Sequence, residues 1–205
     1  MTEQIKLYDT ELSGNCYKIR LFCSCLSLSY QIIPINLQQA EQKQAAFLQL
    51  NPRGQVPVLE DRGTLVWDSM AILVYLASKY ADARWLPSQP DVLAKVMQWL
   101  ALSENELLYG LARARAVLKF NRPWDLAECQ ALAGTGLAIL EQHLNGHTWL
   151  AAEHVTIADI ACFPYVALAP EAGMGLDSFP SVRSWLARVQ SLPGYVAMPG
   201  IISYA

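Results

Sequence analysis

Ser13-Gly14-Asn15-Cys16 constrains this chain more than any other feature, because of what flanks it. The run Ile5 to Asp9 reads as a strand, and the apolar-periodic stretch from Asn15 to about Leu28 reads as a helix. Strand, tight turn and helix form the setting in which a Cys-x-x-Cys pair exchanges disulfides. Here a serine stands in the first cysteine's place. A hydroxyl cannot cycle to a disulfide. At a helix N-terminus, where unpaired N–H groups favour an anion, it can donate a hydrogen bond to a sulfur anion brought from outside. Ser13 is equally a good helix N-cap, and an isolated Ser-x-x-Cys would be read as that alone.

The following segments complete a small α/β unit. Tyr30 to Asn36 is β-rich, the polar stretch Leu37 to Gln44 leads into a short helix ending near Leu50, and Val58–Asp61 and Thr64–Trp67 flank Arg62-Gly63 as a hairpin. A helix from Ser69 to about Tyr80 carries Ile72, Leu73 and Leu76 on one face. The order β-α-β-α-β-β-α is that of the thioredoxin-like fold. Residues 82–91, with Pro87 and Pro90, read as a linker, separating a domain of 1–81 from one of 92–205. The second domain reads as all-helical. Val92, Val96, Trp99, Leu100, Leu107, Leu108 and Leu111 recur at helical spacing, and a helix from about Trp124 to Leu144 stops at Asn145-Gly146. Thr156-Ile157-Ala158-Asp159 opens another helix with an acidic capping box, and a last helix spans Ser181 to Ser191. The fold class expected is α/β plus all-α.

Composition excludes several functions. Apolar residues make up 53% and charged ones only 16%, which predicts a packed core without a long disordered tail. A net charge of −3, with no Lys/Arg face, argues against nucleic acid as a partner. No apolar run of about 18 residues is present, so no membrane span is expected. Met1 to Gln4 lacks the regions of a signal peptide, and five cysteines without framework spacing fit a reducing, cytoplasmic setting. His143 and His147 are separated by the helix-breaking Asn145-Gly146, and His154 lies in another loop, so no metal site is expected.

Two further loops describe a guest. In Asn51-Pro52-Arg53-Gly54-Gln55-Val56-Pro57 the proline directly precedes a strand and lacks an N–H. A cis Val56-Pro57 bond would turn the Val56 N–H and C=O outward for an extended peptide to pair with; an ordinary turn proline is the other reading. At Trp67-Asp68-Ser69 a strand gives way to a helix. Ser69 is the natural cap, the first free N–H groups suit a carboxylate and Asp68 suits an ammonium, although both residues can simply cap the helix. A thiol site, a peptide-pairing edge and an amino-acid-head site together describe a short thiol peptide with a free α-amino-acid end. Glutathione is such a molecule.

Taken with the Thr156–Asp159 box, these motifs resemble the cytosolic glutathione transferase superfamily over nearly the whole chain. The resemblance implies a thioredoxin-like domain followed by an all-α domain, glutathione as co-substrate, and usually a homodimer. Ser13 falls where theta- and zeta-like members keep a thiol-activating serine, and Asn15 where bacterial and fungal members present an asparagine to the sulfur. Val56 would pair with the cysteinyl backbone beside the cis Pro57, and Asp68 and Ser69 match the acidic-Ser pair that holds the γ-glutamyl end. Gln55 replaces a frequent lysine that meets the glycyl carboxylate, with Gln42 or Lys43 sharing that role. Cys16, in the second-cysteine place, is expected to be inert. Zeta-like members carry Ser-Ser-Cys where this chain has Ser13-Gly14-Asn15, which disfavours maleylacetoacetate isomerisation. Omega-type deglutathionylation relies on a cysteine where Ser13 stands, whereas peroxide reduction and a non-catalytic regulatory role stay open. A small apolar electrophile would lie between the domains, where Tyr109 and Arg113, one turn apart on the first long helix, are the candidate lining; packing for Tyr109 and a solvated or dimer-interface charge for Arg113 are the other reading. Arg115 is expected to point elsewhere, and Trp99 and Trp185 to be core.

Overall fold

A computed structural model describes residues 4–204. Its four-stranded sheet has the order β2-β1-β3-β4, with β1 Ile5–Asp9, β2 Tyr30–Pro34, β3 Val58–Asp61 and β4 Thr64–Trp67. Strand β1 runs parallel to β2, Leu7 facing Ile32, and antiparallel to β3, Leu7 facing Leu59. A parallel pair needs a crossover, and helix α1, Gly14–Cys25, supplies it. Alternation places Ile5, Leu7 and Asp9 inward, whereas β2 lies at the sheet edge, where Pro34 needs no ladder N–H. Helix α1 ends three residues before the expected Leu28. Ser27 turns left-handed at φ 53°, and the Leu28 N–H folds back onto the Cys23 carbonyl at 2.9 Å. A short helix α2, Ala45–Leu50, precedes the hairpin, and α3, Ser69–Tyr80, packs against α1. Buried Asp61 ties the hairpin to α3, its Oδ2 accepting from Tyr75, Lys79 and Tyr80 at 2.6–2.8 Å.

The remainder of the chain is helical. Helix α4, Pro90–Leu102, starts within the expected linker because proline is pre-set for the first helical position. It continues without a break through a π-helical stretch, Ser103–Ala112, into α5, Arg113–Phe120. The widened stretch lies close against α6, Leu126–Leu144: a Cβ on Gly110 would come within 2.5 Å of the Ala133 nitrogen. Helix α6 begins two residues after the expected Trp124 because the Asp125 carboxylate caps it, accepting from the Glu128 N–H at 2.8 Å. Helix α7, Ile157–Ala167, is buried along its whole length. Its capping box forms as read, and Asp159 also accepts from the Leu150 N–H at 3.1 Å and the Trp185 indole at 3.0 Å. Both donors reach Oδ1, so each removes part of the cost of burying that carboxylate oxygen. Helix α8, Pro180–Gln190, closes the chain one residue earlier than expected at each end. One hydrophobic core runs through both halves, Phe22 meeting Trp85 at 5.1 Å and Tyr17 meeting Phe163 at 6.4 Å between ring centroids. None of the helices among the described residues is long and apolar enough to cross a membrane.

Candidate active site

Three loops converge at one end of the sheet, as the sequence expects. In the β1–α1 loop Ser13 has extended geometry and caps α1, its Oγ accepting the Cys16 N–H at 3.2 Å. That bond uses a lone pair, so the hydroxyl proton remains available to a guest. Gly14 is required by contact: a Cβ there would sit 2.6 Å from the Tyr165 ring. Asn15 is half-buried, and its Oδ1 is buried with no hydrogen-bond partner. Cys16 is fully buried, and desolvation pushes its thiol far above the usual range, so it stays protonated and inert.

The second loop carries the cis Val56-Pro57 bond. Buried Asn51 braces it, donating from Nδ2 to the Gln55 carbonyl at 2.7 Å and accepting the Arg53 N–H at 2.9 Å. Gly54, at φ +58°, lies so close to the Gln42 carbonyl that a Cβ would approach it to 2.7 Å. Lys43 is occupied with the Arg53 carbonyl at 3.1 Å, whereas Gln42 Oε1 is buried and unpartnered. Gln55 is exposed.

At the third loop the expected cap is corrected. Asp68, not Ser69, caps α3, its Oδ1 accepting from Met70 N–H at 2.9 Å and Ala71 N–H at 3.5 Å. The physical reason is backbone geometry: Asp68 takes a positive φ of 78°, outside the helix, and Ser69 becomes the first helical residue. Asp68 Oδ2 is also paired with Arg53 at 2.9 Å. Ser69 is thereby released, with a buried Oγ that has no partner. Buried polar atoms without partners are rare in folded proteins. Among the described residues such atoms include one each on Asn15, Gln42 and Ser69, three residues the sequence assigns to one site.

The helical half adds residues that sequence reasoning missed. Lys18 is fully buried, its Nζ donating to Ser103 Oγ at 3.3 Å and lying 3.8 Å from Glu104 Oε1. Burial is the main cause that holds the Lys18 ammonium down at about 8, with Glu104 opposing it. Burial raises the Glu104 carboxyl, with Lys18 opposing it and the charges of Asp68 and Arg53 also felt; its Oε1 has no hydrogen-bond partner. Arg115 is a second correction. It does not point away but is buried, donating from Nη1 to the Leu12 carbonyl at 2.8 Å, because its helical phase continues Leu107 and Leu111. Tyr109 and Arg113 stack on one another, Arg113 lying 4.2 Å from the Tyr109 ring centroid and 5.2 Å from that of Trp124. From this long helix Glu104 reaches Lys18 and Arg115 reaches the Leu12 carbonyl.

Trp185 is core, whereas Trp99 is half-buried and meets the His143 ring at 4.7 Å. His143 stacks on His147, and each ring faces a carbonyl, of Trp149 at 3.3 Å and of His143 at 2.9 Å. Among the described residues no group of three or more His, Cys, Asp or Glu is placed to hold a metal ion.

Comparison with known proteins identifies the family. Residues 3–78 match the family "Glutathione S-transferase, N-terminal domain" and residues 111–193 match "Glutathione S-transferase, C-terminal domain". The chain belongs to the cytosolic glutathione transferase superfamily. It is 33% identical to a maleylacetoacetate isomerase of Pseudomonas aeruginosa, over 87% of this chain and 88% of that protein. It is 28% identical to the disulfide-bond oxidoreductase YfcG of Escherichia coli, over 87% of each. A solved glutathione S-transferase of Pseudomonas fluorescens superposes with a TM-score of 0.91 at 33% identity, covering 96% of this chain and all of that one.

Proposed function

We propose that this protein is a glutathione transferase in which Ser13 and Asn15 stabilise the glutathione thiolate for attack on a small apolar electrophile. The observation that carries the reading is the convergence of Asn15, Gln42 and Ser69, each with an unpartnered buried polar atom, beside the cis Val56-Pro57 edge. The Ser69 hydroxyl can donate to a guest anion, and Asn15 and Gln42 would donate through their amide nitrogens, since their unpartnered Oδ1 and Oε1 only accept. Ser13 and Asn15 would meet the sulfur, Val56 the cysteinyl backbone next to Pro57, and Ser69 the γ-glutamyl carboxylate. Asp68, supplemented by Glu104, would meet the ammonium. Gln42 and Gln55 are left for the glycyl end, where neutral amides replace a charge. Tyr109 and Arg113 are proposed for the electrophile side, and the units bounded at 1–81 and 92–205 for the two partners of that cleft.

Activation of the thiol supplies only part of the rate. A thiol with a pKa of about 8.5 is about 3% ionised at pH 7, and lowering that pKa by about two raises the thiolate roughly 25-fold. A less basic sulfur is a weaker nucleophile, losing roughly eightfold at a Brønsted slope near 0.45, so the net gain is about threefold. Holding the electrophile against the sulfur, which can supply several kcal/mol, must therefore do more.

The test is calorimetry with glutathione followed by assays with chlorodinitrobenzene and cumene hydroperoxide. Binding with conjugation supports the transferase, and peroxide turnover alone moves the assignment to a glutathione peroxidase. Binding with neither reaction moves it to a regulatory glutathione-binding protein. A second reading, glutathione-dependent isomerisation, is favoured by the similarity to a maleylacetoacetate isomerase and opposed by Gly14-Asn15 in place of Ser-Cys. We also propose a cytoplasmic homodimer. Its support is the family's habit, the exposed Leu65 and Trp67 of β4, and five free cysteines; sedimentation and fractionation would test it.

A further inference from the structure

Arg115 sits on α5, in the helical half, yet its side chain serves the loop that carries Ser13. It is 3% exposed. Nη1 donates to the Leu12 carbonyl at 2.8 Å, Nε donates to Glu171 Oε2 at 2.6 Å, and the guanidinium lies 5.3 Å from the Phe120 ring centroid. Nη2 is buried without a partner. The Leu12–Ser13 peptide is thereby tied at both ends, because the Ser13 N–H donates to the Thr10 carbonyl at 3.0 Å. A peptide unit is planar, so fixing its C=O and N–H fixes the Ser13 Cα, and the Cys16 N–H bond to Oγ then holds the side chain.

Beside this loop two cations share one partly buried anion. Arg115 and Lys119 share one carboxylate, Glu171, which leaves that cluster one positive charge in excess. The neighbouring ions are matched one to one: Asp9 with Arg20, Lys18 with Glu104, and Asp68 with Arg53. Cys16 and Tyr165, which also face the loop, are held neutral by burial, and Glu11 of the loop itself is exposed. An excess charge inside a protein attracts an anion more strongly than the same charge in water.

We propose that Arg115 is a positioning residue for the thiol site: it fixes the Leu12–Ser13 peptide from the helical half and sets beside that loop a guanidinium whose counter-anion, Glu171, is shared with Lys119. The proposal rests on glutathione occupying the loop as described above. Its test follows the bound thiolate by ultraviolet absorbance and kcat against pH, in wild type, Arg115→Met, Arg115→Lys and Glu171→Gln, each checked for glutathione binding by calorimetry. Arg115→Met should leave about tenfold less thiolate at a fixed pH below the thiol pKa, and lower kcat more than it changes KM. Arg115→Lys, which keeps the charge, should recover most of the thiolate. Glu171→Gln removes the shared anion and should shift the thiolate the other way, to more at the same pH. A role confined to packing would lower the melting temperature and move none of these profiles. Should Arg115→Met fail to fold, Glu171→Gln decides alone. Unchanged thiolate profiles in folded, glutathione-binding variants overturn the role of Arg115 while the transferase reading survives. Absence of glutathione binding by wild type overturns both.

Discussion

The β1–α1 and β4–α3 junctions are built alike, a strand entering a helix through an N-capping residue, and they differ in what the cap leaves free. Helix α1 is capped by the neutral Ser13 and has no acidic residue in its first turn, so its positive end is not neutralised by its own chain. Helix α3 is capped by a carboxylate, Asp68, which accepts two of its first N–H groups and holds Arg53. The first junction is suited to a guest anion that must stay reactive. The second already contains an anion and a cation, and suits a zwitterionic guest that must be held still.

Removing both side chains at the first junction should produce the largest effect. For Ser13→Ala combined with Asn15→Ala, the thiolate fraction of bound glutathione at pH 7 should fall about 25-fold, since two lost hydrogen bonds to a charged sulfur at about 1.5 kcal/mol each raise its pKa by about two, and kcat/KM with chlorodinitrobenzene should fall about threefold. Loss of the Ser13 cap should also lower stability by about 1 kcal/mol, read from denaturant unfolding. A thiolate fraction within twofold of wild type would mean that the open helix end activates nothing.

At the second junction Asp68→Ala should raise KM for glutathione about tenfold with a smaller change in kcat, and cost about 1 kcal/mol of stability through the lost cap. A kcat collapse at unchanged KM would reverse the roles assigned to the two junctions.

Lys18 gives the first junction a buried base, and its ionisation can be followed through stability. Its native pKa, about 8, lies below the ordinary lysine value near 10.5, so between those limits the unfolded chain binds more protons than the native one. Stability from this group therefore rises as pH increases from about 8 towards 10. Buried Cys16, Cys23 and Cys162 act oppositely, since their native thiols stay protonated where unfolded ones ionise. The informative quantity is thus the difference: wild type should gain on the order of 1 kcal/mol over Lys18→Met between pH 8 and 9.5. Parallel stability curves would show that Lys18 is not held down by its burial.

The contrast between the junctions also marks how much was legible in the sequence. Strand bounds at Val58–Asp61 and Thr64–Trp67 were readable because Arg62-Gly63 punctuates them, and the Thr156–Asp159 box because both partners lie within one turn. The choice between Asp68 and Ser69 as cap was not, since both side chains can cap a helix and only the φ of 78° at Asp68 decides. Lys18, Glu104 and Arg115 were hidden for a different reason. A charged residue at a buried helical phase has a role only through its partner, and these partners lie 56 to 103 residues away in sequence. The phase itself was the available signal, with Arg115 continuing the Leu107–Leu111 face.

Ser69→Ala should have the smallest effect and separates the two readings of the second junction most cleanly. If Ser69 were the cap, its loss would cost about 1 kcal/mol. Because its Oγ is buried without a partner, deleting it removes an unmet polar group, and stability should stay within about 0.5 kcal/mol of wild type or rise. Glutathione binding should nevertheless weaken a few-fold, since the hydroxyl would lose its only partner, the γ-glutamyl carboxylate. Calorimetry and denaturant unfolding on the same sample read both quantities. Lost stability with unchanged binding would return Ser69 to a structural role and leave α3 without a guest.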